Sequence, residues 1–157
     1  SAFRAGTDQH SGNRDYFGQD NIERAKSHPI RAALADVAKL RQRSIALQRG
    51  LQANLELGEN TASFYRVYQK NDIAQTALVL LNKGGEPAAV QVSEWLSHGI
   101  WRDASSGEEY AVSAGKAEIA VDVPAHGVRV LLFDKPVTNA GLITELDRLQ
   151  RRKTPGQ

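Results

Sequence analysis

From residue 51 onward, apolar and polar positions follow a period of two, which is the signature of half-buried strands. The pattern predicts strands over 51–57, 61–69, 73–82, 87–92, 99–104, 107–112, 116–123 and 127–133. Turn-forming stretches separate them: GEN at 58–60, KND at 70–72, NKGGE at 82–86, ASSG at 104–107 and PAHG at 124–127. The clearest alternation sets Ala117, Ile119, Val121 and Val123 inward against Lys116, Glu118 and Asp122 outward; Val128, Val130 and Leu132 repeat the inward set. ALVLL at 77–81 is apolar on both faces, so it predicts a central strand or one covered on its second side. Eight short strands at this spacing make the fold class mainly β, an antiparallel sandwich without βαβ units.

Ahead of the strands the period lengthens to that of a helix. Residues 21–49 predict helix, with Asp20 or Asn21 as N-cap and a break or restart at Pro29. Beyond Pro29, Ile30, Leu34, Val37, Leu40 and Leu47 fall near one face, and Arg31, Lys39, Arg41 and Arg43 take the wetter sides. Gly50 supplies the turn out of the helix. In the tail, 134–157, Leu142, Ile143, Leu146 and Leu149 predict an amphipathic helix of about three turns. The two stripes give the first helix three partners to choose from: the sandwich, the tail helix around Leu146, or a second copy. A homo-oligomer is the expected outcome, because one short tail cannot also cover the apolar start at 2–5.

With 157 residues the chain suits one domain, or one with an appendage, and it is too short for a complete (β/α)8 barrel of about 250 residues. An apolar share of 41% against 24% charged residues excludes compositional disorder. The net charge of +2, spread through mixed-sign sequence, forms no track for nucleic acid. The absence of cysteine removes disulfides, thiolate nucleophiles and sulfur-ligated zinc. No run of 18 apolar residues predicts a membrane span, and SAFRAGTDQH lacks the traits of a signal peptide. A chain that starts without Met, in apparent mid-element, is expected to be a piece of something longer.

Catalytic motifs are scarce. His10, His28, His98 and His126 carry no HExxH or HxH spacing, and no GxSxG, GxGxxG or phosphate-loop pattern occurs. NKGGE reads as a hairpin turn, and Asp103, whose oxygens would suit calcium, reads as part of a surface turn. One polar cluster stands out, the loop after Gly6. Asp8, Gln9, His10, Asn13, Arg14, Asp15, Tyr16, Phe17, Gln19 and Asp20 supply the carboxylates, amides and rings that a sugar asks for. A solvated loop is the plainer reading of the same residues.

Several segments, taken in order, carry a resemblance. Gly6-Thr7-Asp8-Gln9 is similar to a Gly-Thr-Glu-Gln stretch that follows the last barrel strand of glycoside hydrolase family 13, the alpha-amylase superfamily that includes cyclodextrin glucanotransferases. The resemblance continues through His28-Pro29 and KLRQRSIALQRG, close to LRxxSPALxxG, with Ile45 where the family usually has Pro in what reads as a loop. It extends to VLLN at 79–82, to IWRDASSGEEY at 100–110, near Trp-x-Asp-x-x-Ser-Gly, and to VPAHGVRVLLF, like LPPxGxxVL.

The resemblance implies a helical remnant of a (β/α)8 barrel over 1–49, a Greek-key all-β C-terminal domain over 50–133, and the tail over 134–157. GNRDYFGQ stands where glucanotransferases have GNGDPYNR. Asp15 thereby matches the Asp of a donor-side glucose subsite, and Gln19 replaces its Arg. An amide lacks the cationic fork of guanidinium; Arg14 is positioned to compensate, with Tyr16 beside it. The parent would be a retaining enzyme on alpha-1,4-glucans such as starch, maltooligosaccharide or cyclodextrin, secreted or periplasmic, with room for calcium. Its catalytic carboxylates would lie upstream, on the missing barrel strands, so the fragment holds no catalytic residue or cofactor and is inactive alone. The alternative is a standalone carbohydrate-binding or accessory sandwich module. That module needs an exposed row of aromatic rings, for which Trp95 and Trp101 are the only tryptophans and Trp101 is expected in the core.

Overall fold

A computed structural model describes residues 31–55, 58–70 and 72–153. Among the described residues two helices, α1 (Arg31–Arg41) and α2 (Ile45–Arg49), precede eight strands. These are β1 (Leu51–Asn54), β2 (Thr61–Lys70), β3 (Ile73–Asn82), β4 (Ala88–Val92), β5 (Gly99–Asp103), β6 (Glu109–Val112), β7 (Ile119–Val123) and β8 (Gly127–Phe133). Helix α3 (Ala140–Lys153) closes the described chain. Six strands pair antiparallel in the order β1-β2-β3-β8-β5-β6, and β4 pairs with β7 in a second, facing ladder. Strand β8 returns to lie beside β5, while β7 has crossed to the other sheet. That is a Greek key split across a sandwich. NKGGE therefore carries the chain from one sheet to the other and is not a hairpin turn.

The six-stranded sheet is covered on both faces. Between the sheets, Tyr65, Leu78, Leu80, Val121, Trp101, Leu131 and Phe133 form one core. On the opposite face Phe64, Ala77, Val79, Leu81 and Val130 pack under Val37, Ala46 and Leu47 of the two helices. The alternation of β3 thus feeds two cores, which is why ALVLL is apolar throughout. It also corrects β8: Val128, Val130 and Leu132 face the helices, and Leu131 and Phe133 fill the space between the sheets. Ala117 is exposed, since β7 starts at Ile119.

The predicted helical face through Leu47 is broken in two. Ser44 takes an extended conformation (φ −127°, ψ 113°) and caps α2, its Oγ accepting from the Leu47 N–H at 3.2 Å. The same hydroxyl donates to Gln75 Oε1 at 2.7 Å, and the Ala46 N–H reaches that oxygen at 3.2 Å, so β3 grips the helix start directly. Ile45 is consequently the first residue of a helix and not a loop residue, and proline is well suited to that position. Gly50 is needed for a different reason than the one expected. Its φ of −70° is open to any residue, but an added Cβ would lie 2.5 Å from the Ala46 carbonyl oxygen and 2.8 Å from the Val67 nitrogen.

The tail stripe does not meet α1. Leu142 is buried and Leu146 and Leu149 pack against the inter-sheet core beside β1, while Ile143 stays 42% exposed. Asn139 starts the helix, its Oδ1 accepting from the Leu142 N–H at 3.0 Å. Val37 and Leu40 are covered by their own sheet; Ile30 and the 2–5 start lie outside the described residues.

Two expected outcomes follow from these contacts. Ile45→Pro should change stability by less than about 1 kcal/mol, whereas Gly50→Ala should cost about 1–3 kcal/mol through backbone overlap, both read by urea denaturation. Tyr65 gives a pH test. Its phenol donates to the Glu94 carbonyl at 2.7 Å, and burial, aided by the Glu94 carboxylate, pushes its pKa well above the ordinary 10.0. The folded state holds the proton more tightly than the unfolded chain, so stability is retained below about pH 10 and lost as pH rises above it. Tyr65→Phe should flatten that alkaline loss while costing about 0.5–1.5 kcal/mol at neutral pH, as thermal melts across pH would record.

Candidate functional site

The residues singled out for sugar contact, Arg14, Asp15, Tyr16 and Gln19, lie outside the described residues, as do His10 and His28. What the structure does place are the later motifs, and each proves to be a joint of the fold. Asn82, at the end of β3 and 1% exposed, donates through Nδ2 to the Glu86 carbonyl at 2.8 Å and the Val123 carbonyl at 3.2 Å. Its Oδ1 accepts from the Gly84 N–H at 2.9 Å. One amide thus ties the crossover between the sheets to the end of β7.

Asp103 plays the matching part at the other end. It is 2% exposed, and its Oδ1 accepts from the N–H groups of Ser105 and Ser106 at 2.8 and 3.0 Å. Its Oδ2 lies 3.6 Å from Arg129 Nη1. This is an Asx turn, completed by Gly107 at φ +80°, a backbone state that glycine adopts without cost. The carboxylate is spent on the turn and on Arg129, which leaves it badly placed to hold calcium. Among the described residues, no three His, Asp or Glu side chains converge on a metal site.

His126 sits in the β7–β8 turn at φ +52°, its N–H donating to the Gly84 carbonyl at 3.1 Å and its Nδ1 buried without a partner. His98 is exposed. Trp101 is 1% exposed, its ring stacked on Phe133 at a centroid distance of 4.8 Å and its Nε1 donating to the Ser97 carbonyl at 3.1 Å. Trp95, Tyr68 and Tyr110 are half-buried, and Tyr65, Phe64 and Phe133 are buried. The described residues therefore contain no exposed row of aromatic rings. No described helix is long and apolar enough to cross a membrane.

Two features escaped the sequence reading. Arg66, on the helix side of β2, is 9% exposed and its Nε has no hydrogen-bond partner; burial, reinforced by the charge of Arg41, lowers its pKa to about 10. A cleft of about 200 Å3 also opens where the α1–α2 corner meets β5 and β8. Its apolar floor comes from Leu40, Leu47, Ala104, Val130 and Leu132, and Arg43 and Arg102 stand at its walls. Residues so far apart in the chain give no local motif that would have announced either feature.

No family model and no curated protein matches the chain. Solved structures do. It is similar to AmyP, crystallised in complex with maltose, at a TM-score of 0.52 and 20% identity, covering 67% of this chain and 20% of that one. An Anoxybacillus alpha-amylase gives a TM-score of 0.52 at 18% identity, covering 68% and 22% of the two chains. The alpha-amylase from Geobacillus thermoleovorans, complexed with acarbose, gives 0.52 at 20% identity, covering 65% and 22%. The chain thus spans about a fifth of the length of these proteins, and the likeness is one of fold.

The joint at Asp103 yields a direct test. Asp103→Ala removes a charged acceptor from two backbone N–H groups and should destabilise the chain by about 2–3 kcal/mol. Added calcium should leave the wild-type melting temperature unchanged, as a thermal shift assay would read.

Proposed function

We propose that the chain is the C-terminal part of a retaining enzyme acting on alpha-1,4-glucans, of the alpha-amylase or cyclodextrin glucanotransferase type. In this reading residues 1–49 end the catalytic barrel, 50–133 form the all-β C-terminal domain and 134–157 the tail. The observation that supports it best is the fate of the motifs. Asn82 and Asp103, which lie in two segments that resemble the family, hold the strand connections of a sandwich whose fold is similar to part of two solved alpha-amylases. AmyP was crystallised with maltose and the Geobacillus thermoleovorans alpha-amylase with acarbose, which supports a glucan as the substrate class.

Asp15 would accept hydrogen bonds from glucose hydroxyls, Arg14 and Gln19 would supply donors around it, and Tyr16 an apolar ring face. Hydrolysis or transfer with retention requires two carboxylates about 5–5.5 Å apart, one as nucleophile and one as acid and base. In the resembling family these lie on earlier barrel strands, so the partner this chain requires is the rest of that barrel. A free-standing binding module is the weaker reading, because the rings that would stack on sugar are buried or half-buried in the described residues.

The purified chain is expected to release neither reducing sugar nor cyclodextrin from starch. Joined to the polypeptide encoded directly upstream, it should act on maltoheptaose, and Asp15→Ala should lower kcat/KM by about tenfold, the effect of losing one charge-assisted contact. Turnover that co-migrates with the isolated chain, or an upstream reading frame without a carboxylate-bearing barrel, would overturn the proposal.

A further inference from the structure

The cleft beside the α1–α2 corner takes no part in the reading above, yet it has the composition of a binding site. Leu47 and Val130 are buried beneath it, and the half-buried Leu40, Ala104 and Leu132 turn their remaining surface toward it. Arg43, in the turn after α1, and Arg102, on β5, both line it, together with Ser44. No carboxylate among the described residues pairs with Arg43. Arg102 Nη2 lies 3.5 Å from Asp134 Oδ2, but both side chains are about half exposed, and an exposed pair of that kind is easily exchanged.

We propose that this cleft binds a small monocarboxylate with a compact apolar body, such as an aryl acid. Each wall argues for one half of that ligand. Two guanidinium groups in one lining match a single carboxylate, which accepts from both. An apolar floor matches a hydrocarbon body, and the volume of about 200 Å3 suits one ring and not a drug-sized molecule. A sugar fits poorly, since no aromatic ring lines the cleft for stacking. Inorganic phosphate fits poorly too, since it would leave the floor uncovered. The ligand holds few atoms, so its dissociation constant should be on the order of 1 mM.

The test is a titration of the full 15N-labelled chain with benzoate, using benzamide as the uncharged body and acetate as the charge without a body. Benzoate alone should give saturable shifts at the backbone amides of Arg43, Ala104 and Leu132. Arg43→Gln and Arg102→Gln, both at exposed positions, should each weaken it about fivefold. Ala104→Leu should fill the cleft and abolish binding with the remaining spectrum intact. The proposal is overturned if benzamide or acetate matches benzoate, if the shifts fall elsewhere, or if the arginine variants bind within about twofold of wild type. A peptide amide of sequence Asp-Leu-Glu that saturates the same amides more tightly than benzoate would assign the cleft to a polypeptide and overturn the small-acid reading.

Discussion

Strand β3 is buried on both faces, and most of the architecture is a response to that fact. From Thr76 to Asn82 every residue is nearly or fully excluded from solvent. A strand of this kind cannot be an edge and cannot belong to a one-sided sheet. It needs neighbours on both sides, which β2 and β8 provide, and it needs cover above and below. The β4–β7 ladder and the residues around Trp101 supply one cover, and helices α1 and α2 supply the other. Burying a Leu or Val side chain stabilises by roughly 1.5–3 kcal/mol, so neither layer is dispensable to the strand between them.

Polar groups at the ends of β3 then fix the layers in register. Near its start, Gln75 accepts from Ser44 and from the N–H of Ala46, and donates to Asp134 Oδ1 at 2.8 Å, joining the first helices to the segment that leads to α3. At its finish, Asn82 binds the crossover to β4 and the end of β7. Apolar burial is indifferent to small slips along a strand, but these bonds are not. A shift by one residue would turn Gln75 and Asn82 to the wrong face and exchange the contents of the two cores.

These roles explain what was legible in the sequence. The bounds of β3 and β8 coincide with the predicted ranges, because Lys70, Asn71, Asp72 and Pro124, Ala125, His126 interrupt the alternation sharply. Strand β7 is shorter than predicted, since period two persists through Ala117 although nothing covers it there, and β6 loses residues 107 and 108 to the turn held by Asp103. The break at Ser44 is hidden in the sequence because Leu47 keeps near-helical spacing from Leu40 across a turn that Gln75, 31 residues away, helps to hold. Local patterning reports which residues want cover. It does not report which layer will provide it: Val128, Val130 and Leu132 alternate as an inward set yet face the helices, and Ile143 belongs to the tail stripe yet stays exposed. The cleft and the buried Arg66 were illegible for the same reason, being products of non-local assembly.

The sharing of cores also bears on the function proposed above. The boundary that the resemblance implies between residues 49 and 50 runs through a single packed cluster. Val37, Ala46 and Leu47 lie on one side of it and Phe64, Val79 and Val130 on the other, all in one cluster. Gly50 makes the junction tight, with no room for even a methyl group between α2 and β2. Close-packed interiors transmit displacement instead of absorbing it, so α1 cannot shift on the sheet without opening that core. The chain that enters α1 at Arg31 is therefore anchored to a layer stabilised by the whole sandwich. On the function proposed above, the β domain would hold fixed the helix that follows Asp15 in the chain.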